Sequence, residues 1–207
     1  NKTTIDVETA DGKVSVNLTS DEPGKAKVCA ETSAYSDCIE IEFQAVGNVS
    51  YSIPLYDGWN LFSLPLIPVN SSIENVTSKI KGNYTIIWAY NGKWHAYDPN
   101  NLDASDLKEL KDGYGYWIYM NESDNLAFKG YVMEEAELPP EYDLIQGWNL
   151  IGFKSLSERK AEDYLQNVDY TSLWSYDGAW HRLQPESYME PGYGYWVYAP
   201  NGGTVVP

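Results

Sequence analysis

Basic residues are scarce in this chain: 14 Lys and Arg stand against 30 Asp and Glu, for a formal net charge of −16. Nucleic-acid binding needs clustered cations to meet the phosphates, so that class is excluded, and docking on anionic lipid is excluded for the same reason. Long apolar runs are missing as well. No stretch approaches the roughly 20 residues of a membrane-spanning helix, and the longest candidate, residues 51–69, is broken by Asp57, Asn60 and three prolines. Neither a charged start nor an apolar signal core is present, and the expectation is that any export signal has already been removed. Only 2 Cys, 2 His and 4 Phe occur. What the chain has instead is 18 Tyr and 8 Trp, with 43% hydrophobic residues, enough to build cores and to exclude wholesale disorder.

The pattern Asn-X-Ser/Thr, the acceptor for N-glycans, occurs at Asn1, Asn17, Asn48, Asn70, Asn75, Asn83 and Asn121. Random placement of 15 Asn among 207 residues containing 26 Ser and Thr gives about two such sites, so seven signals an exported, heavily glycosylated protein. None lies beyond residue 123.

The two cysteines agree with that compartment. Folded as a hairpin around Ser33-Ala34, the segment 24–43 sets Cys29 opposite Cys38, Lys27 opposite Glu40 and Lys25 opposite Glu42. The same register sets Val28 opposite Ile39 and Ala26 opposite Ile41. Cysteines and charges share one face and aliphatics the other, as period-two alternation demands. One register satisfies five pairs, which predicts a cross-strand disulfide and an oxidising, extracellular setting.

The first 46 residues alternate throughout, with Ile5 and Val7, then Val14, Val16 and Leu18, ahead of the hairpin; Asp11-Gly12 and Pro23-Gly24 supply turns. Four antiparallel strands with one apolar face are expected. Thr9-Ala-Asp-Gly-Lys-Val-Ser-Val-Asn-Leu-Thr-Ser20, with Pro23-Gly-Lys-Ala-Lys-Val28 and Ile39-Glu-Ile-Glu-Phe43, resembles the later strands of a bacterial Ig-like repeat of the invasin or intimin type. The resemblance implies half of a sandwich that needs about 100 residues and seven strands. It leaves an apolar face and an edge that strand addition could complete. The covering layer could be the remaining domains, a neighbouring molecule, or strands lost by processing.

The remainder is an internal duplication. Gly58-Trp-Asn-Leu61 recurs as Gly147-Trp-Asn-Leu150. Trp88-Ala-Tyr-Asn-Gly-Lys-Trp-His95 recurs as Trp174-Ser-Tyr-Asp-Gly-Ala-Trp-His181, and Gly113-Tyr-Gly-Tyr-Trp-Ile-Tyr119 as Gly192-Tyr-Gly-Tyr-Trp-Val-Tyr198. The eight tryptophans, Trp59, Trp88, Trp94, Trp117, Trp148, Trp174, Trp180 and Trp196, fall at matched positions. Asn91-Gly92 and Asp177-Gly178 read as two-residue type I′ turns. Short helices are expected at 71–80, with Ser71 and Glu74 as a capping box, and at 157–167, with Ala161 and Leu165 inward. Residues 134–140 read as a linker. The pattern from Gly-Trp-Asn-Leu to Gly-Tyr-Trp is similar to a repeat of archaeal and bacterial cell-surface proteins. The fold class expected is therefore mainly β with short helices: a partial Ig-like sheet (1–47) and two tandem aromatic-rich β repeats (51–135 and 140–207).

Catalytic chemistry finds little material. His95 and His181 share one repeat position, whereas a general base is usually single. No Gly-X-Ser-X-Gly elbow occurs. Thirty carboxylates make some close pair inevitable, so their number says nothing about glycoside hydrolysis. The segment Asp98–Asp106 concentrates oxygen ligands of the kind calcium takes, but Leu102 occupies a ligand position and the second copy has Gln184-Pro-Glu; a turn leading into a helical 106–110 reads better. No catalytic residue, metal or cofactor is expected. Repeated placement assigns the tryptophans to core and interface, with a sugar-stacking groove as the alternative. Strands with large groups on both faces need a second layer, from the other copy or a neighbour. The expectation is a non-enzymatic, glycosylated extracellular subunit that assembles with copies of itself into a surface filament or layer, or else a carbohydrate-binding, adhesive module of a larger surface protein.

Overall fold

The computed structural model describes residues 24–31, 36–43, 47–132 and 140–207, and the chain divides into two compact units, 1–47 and 48–207. The described residues are mainly antiparallel β-structure. Their two α-helices have four residues each. None of these helices is long and apolar enough to cross a membrane.

In the first unit, β1 (Gly24–Glu31) pairs with β2 (Ser36–Phe43) in the register that alternation dictates: Cys29 faces Cys38, Lys27 faces Glu40 and Val28 faces Ile39. A disulfide joins Cys29 to Cys38. Val28 is half-buried and Ile39 is 61% exposed, so at this pair the aliphatic face is open. The expected strands around Ile5 and Val14, the sequons at Asn1 and Asn17, and linker residues 134–139 lie outside the described residues.

The second unit contains both repeats. The first holds β3 (Val49–Leu55), β4 (Gly58–Ser63), β5 (Ile67–Pro68), α1 (Ile73–Val76), β6 (Tyr84–Tyr90), β7 (Trp94–Tyr97), β8 (Gly115–Met120) and β9 (Asp124–Tyr131). The second holds β10 (Tyr142–Leu144), β11 (Gly147–Gly152), β12 (Arg159–Lys160), α2 (Ala161–Tyr164), β13 (Ser172–Tyr176), β14 (Trp180–Arg182), β15 (Tyr188–Met189), β16 (Gly194–Ala199) and β17 (Gly203–Val205). The duplication is visible in strand order: β4-β8-β6-β7 in one sheet, β11-β16-β13-β14 in the other. Each repeat also keeps a smaller outer pairing, β3 with β9 and β10 with β17.

Each copy buries its own cluster. Leu64, Leu66, Ile73, Ile87, Leu110 and Ile118 form the heart of the first, and Phe153, Tyr164, Leu165, Leu173, Met189 and Val197 that of the second. Strand alternation supplies these faces: Tyr116, Ile118 and Met120 of β8 point into the core, while Trp117 and Tyr119 point away from it.

Four local expectations are corrected. The helix at 157–167 shrinks to α2, because Arg159 and Lys160 pair with β15 and residues 165–167 form a turn, although Ala161 and Leu165 are buried as expected. The helix at 71–80 shrinks to α1 followed by a 3-10 turn at Ser78–Ile80, because Ser71 and Ser72 are held in extended pairing. Leu110 N–H donates to the Ser71 carbonyl at 2.8 Å and Ser72 bridges Glu109. The Ser71 hydroxyl donates to Glu109 Oε1 at 3.1 Å, so no capping box with Glu74 forms. Residues 106–110 are extended rather than helical, with the N–H groups of Asp106 and Leu107 both donating to the Ala96 carbonyl at 3.0 Å. The hairpin loops have three residues rather than two, since Tyr90 pairs with Trp94 and Tyr176 with Trp180. Their glycines still adopt positive φ, +95° at Gly92 and +103° at Gly178, as a tight turn requires.

Candidate functional site

The repeated motifs place the aromatic rings. In Gly-Trp-Asn-Leu the glycine turns the chain, at φ +86° for Gly58 and +101° for Gly147. The asparagine then staples that turn: Asn60 Oδ1 accepts the Tyr56 N–H at 2.8 Å, and its amide donates to the Gly58 carbonyl at 3.0 Å. Asn149 repeats both contacts, on Ile145 and Gly147, at 2.8 and 3.0 Å. With turn and strand fixed, Trp59 and Trp148 stand on the face of the sheet opposite the core, each 41% exposed. The leucines of the motif reach the other copy. Leu61 lies against Gly194 and Leu150 against Gly115.

That contact is reciprocal. The Ser63 N–H donates to the Gly192 carbonyl at 2.9 Å, and the Gly152 N–H, at the matching position, donates to the Gly113 carbonyl at 3.0 Å. Phe62 bridges Tyr193 and Ile151 bridges Tyr114. Such exchange of equivalent partners is the signature of two-fold pairing, here within one chain. The second layer over the aromatic face is therefore the other copy.

Ring contacts follow the same exchange. Trp117 of the first copy meets Tyr176 and Trp180 of the second, at 5.0 and 5.6 Å between centroids. Trp196 of the second meets Tyr90 and Trp94 of the first, at 5.2 and 5.8 Å. Trp59 packs on Trp117 and Tyr119, and Trp148 on Trp196 and Tyr198, mostly edge to face as ring quadrupoles favour. Between the copies lies an open groove of about 680 Å³ lined by Trp59, Trp88, Trp94, Trp117, Tyr176 and Trp180.

Of the expected places for the eight tryptophans, core and interface, the core is corrected: none belongs to either buried cluster, while Trp94, Trp117, Trp180 and Trp196 meet across the two copies. Trp59, Trp94, Trp148 and Trp180 are exposed, and Trp88, Trp117, Trp174 and Trp196 are half-buried. The cores are filled by Leu, Ile, Met, Phe and Tyr instead, because alternation gives each tryptophan the face turned toward the other copy. Tyr90 and Tyr176 belong to the aromatic site although their type alone did not mark them. Their signal was position, since both stand two residues after the first Trp of the repeated hairpin motif.

The other candidates are occupied by structural contacts. His95 sits between Asp106 Oδ2 at 2.8 Å and Asn91 Oδ1 at 3.0 Å, and His181 contacts Asp177 Oδ1 at 2.7 Å. Each imidazole thus ties its strand to its own hairpin loop. The Ala96 N–H, then His95, hold the Asp106 carboxyl below its usual range, and His181 does the same for Asp177. In the acidic segment, Asp98 Oδ1 accepts the Asn100 N–H and Asp106 Oδ1 that of Ala96, both at 2.8 Å. Among the described residues no group of three His, Cys, Asp or Glu side chains converges as a metal site would.

One charged cluster lies at the junction of the copies: the Lys154 ammonium and the Tyr142 hydroxyl both donate to Asp112 Oδ2, the hydroxyl at 2.5 Å. The Lys154 side chain is 4% exposed and that of Asp112 15%. Burial, then the Asp112 carboxylate, push the Tyr142 phenol up, so it remains a donor. This network joins the two copies, Asp112 belonging to the first and Tyr142 and Lys154 to the second.

Of the sequon asparagines, Asn48, Asn70, Asn75 and Asn121 are exposed. Asn83 is half-buried, its amide donating to Asp124 Oδ2 at 3.1 Å, and the Asn121 N–H donates to the Asn83 carbonyl at 2.9 Å.

Comparison of the chain with protein-family models, with curated proteins and with solved structures found no match.

Proposed function

We propose that this chain is a non-enzymatic, N-glycosylated extracellular protein that holds carbohydrate in the aromatic groove between its two repeats, as an adhesive or wall-anchoring part of a cell surface. The observation that carries the reading is the placement of all eight tryptophans outside both cores, five of them lining one open groove. Exposed indole faces cost solvation, and large apolar rings gathered on a surface mark an interaction site. Trp faces in an open trough offer flat platforms for the C–H faces of sugar rings, and the groove lining holds only Trp and Tyr side chains. The disulfide and the seven sequons support an oxidising, exported setting.

The test is a pull-down of the native glycoprotein on insoluble cellulose, chitin and cross-linked β-glucan. Retention on at least one of them, lost in a Trp59→Ala/Trp180→Ala double variant, is expected. Passage through all three with the tryptophan emission unmoved would sink the reading.

A second reading, assembly of identical chains into a filament or layer, is favoured by one feature. Among the described residues the β1–β2 hairpin is a two-stranded sheet, so each strand keeps an edge where a neighbouring strand could pair, and Ile39 stands 61% exposed on its aliphatic face. Negative-stain electron microscopy decides it: fibres or sheets support assembly, and discrete particles of one chain's mass reject it.

A further inference from the structure

Six rings line the groove, and none of them belongs to a charged side chain. Five are indoles, each with an N–H that can only donate. Among the described residues, no indole N–H donates a hydrogen bond within the chain, and those of the half-buried groove indoles Trp88 and Trp117 are open to water, the Tyr170 hydroxyl being the one buried side-chain polar atom of a non-exposed residue left without a partner. The groove therefore presents two things together: apolar faces and unpaired donors.

From this pairing we infer that the groove binds a neutral, linear polysaccharide, an inference that rests on the carbohydrate reading above and narrows it. Three ligand chemistries compete for such a site. An acidic glycan needs Lys or Arg to meet its carboxylates or sulfates, and the lining has neither in a chain of net charge −16. A quaternary ammonium would suit the ring faces. It has no acceptor, however, and would strip water from the indole N–H groups without replacing it, which costs more than an exposed donor does. A neutral sugar chain supplies both needs, with C–H faces for the rings and hydroxyl and ring oxygens for the N–H groups.

The form of the groove favours a polymer over a single sugar. Trp59, Trp117 and Trp180 are joined by ring contacts at 6.0 and 5.6 Å, with Tyr176 also 5.0 Å from Trp117, in one connected run around an open groove of about 680 Å³, a size that takes a ligand larger than one sugar ring. The first copy gives four of the six rings and the second two, and the run exists only because the copies are paired. Trp174, the counterpart of Trp88, does not line it.

The experiment is affinity electrophoresis of the native glycoprotein in gels containing hydroxyethyl cellulose (neutral), polygalacturonate (acidic) or chitosan (cationic), repeated for variants. Retardation is expected in the neutral gel, insensitive to salt, with free glucose competing poorly. Trp59→Ala and Trp180→Ala should each weaken it about tenfold, the scale of one lost ring contact. Trp174→Ala should leave it unchanged. Strongest retardation by polygalacturonate would overturn the inference while leaving a carbohydrate site standing. Salt-sensitive retardation by chitosan alone would trace binding to net charge and overturn it too. Equal loss in Trp174→Ala and Trp180→Ala would move the site off the groove, and no retardation in any gel would remove the carbohydrate reading with it.

Discussion

Leu150 packs against Gly115 with its side chain 3.0 Å from the point where a β-carbon would stand, and Leu61 repeats the contact on Gly194 at 3.2 Å. The first obstacle to a side chain at either glycine is backbone: the Ile151 carbonyl oxygen at 2.7 Å and the Phe62 carbonyl oxygen at 2.8 Å. A carbonyl in a strand cannot rotate away. Gly115→Ala and Gly194→Ala should therefore each destabilise the second unit by about 1–3 kcal/mol through overpacking. Gly47→Ala, with nothing within 4 Å of the added carbon, should stay within about 0.5 kcal/mol of the parent. Urea unfolding monitored by tryptophan emission measures all three, and a neutral Gly115→Ala would refute the reciprocal packing.

Much of this arrangement was legible in the residues. The β1–β2 register could be read because five cross-strand pairs constrain a single shift. The duplication could be read because its motifs are nearly verbatim, and their glycines and asparagines now have roles as turns, staples and points of close approach. The tryptophans could not be placed from the chain alone. Period-two alternation says that Trp117 and Ile118 lie on opposite faces, but it cannot say which face is the core when both carry large rings and aliphatics. Only the reciprocal pairing of copies decides that, and it rests on contacts between residues far apart in sequence, such as Ser63 Oγ donating to the Tyr193 carbonyl, 130 positions on. The helices fell short for a related reason: pairing of Ser72 with Glu109 outcompeted a local cap at the first, and pairing of Arg159 and Lys160 with β15 took the start of the second.

The Lys154, Asp112 and Tyr142 cluster has no counterpart at the other junction, where Pro65, Pro191 and Ile53 occupy the matching positions. Lys154→Met removes the cation and leaves the Asp112 carboxylate in a largely desolvated place, a change expected to cost about 3 kcal/mol. In a Tyr142→Phe background, which removes the hydroxyl that Asp112 accepts from, joining Asp112→Leu to Lys154→Met removes both charges and should recover most of that loss, since an apolar pair of similar volume is often no worse than the buried ion pair. The other junction shows that apolar contact suffices. Chemical denaturation of the two variants settles the point; a double variant as unstable as the single would mean that packing, not charge, matters here.

Acidification should loosen the two hairpins before it unfolds the cores. The Asp106 and Asp177 carboxyls are held below the ordinary 3.8 by the backbone N–H of Ala96 and by His181, respectively. A depressed folded pKa means that the carboxylate contributes stability above the unfolded value. That contribution is lost as pH falls from about 3.8 through the lower folded value. NMR of the His95 and His181 rings, followed downward from pH 5, should show both leaving their carboxylate environment in that window. Asp106→Asn should abolish the step at His95 and leave that at His181. A step unchanged in Asp106→Asn would assign it elsewhere.

Stability and quenching together separate a ring in a core from a ring on a groove. Phe62 is 1% exposed, and Phe62→Ala should cost about 3–5 kcal/mol through lost burial and the cavity left behind. Trp94 and Trp180, 48% and 52% exposed, contribute through ring contacts worth about 0.5–1.5 kcal/mol. Trp94→Ala and Trp180→Ala should therefore cost about 1–2 kcal/mol each, although the side chain removed is larger than that of Phe62. The same geometry requires acrylamide, a neutral quencher that the net charge of −16 does not repel, to quench most of the native tryptophan emission, because none of the eight indoles is sealed in a core. Emission protected from acrylamide, with Trp180→Ala as costly as Phe62→Ala, would place the indoles inside after all. Ready quenching with a modest Trp180→Ala leaves them on the open groove, where a ligand can reach them.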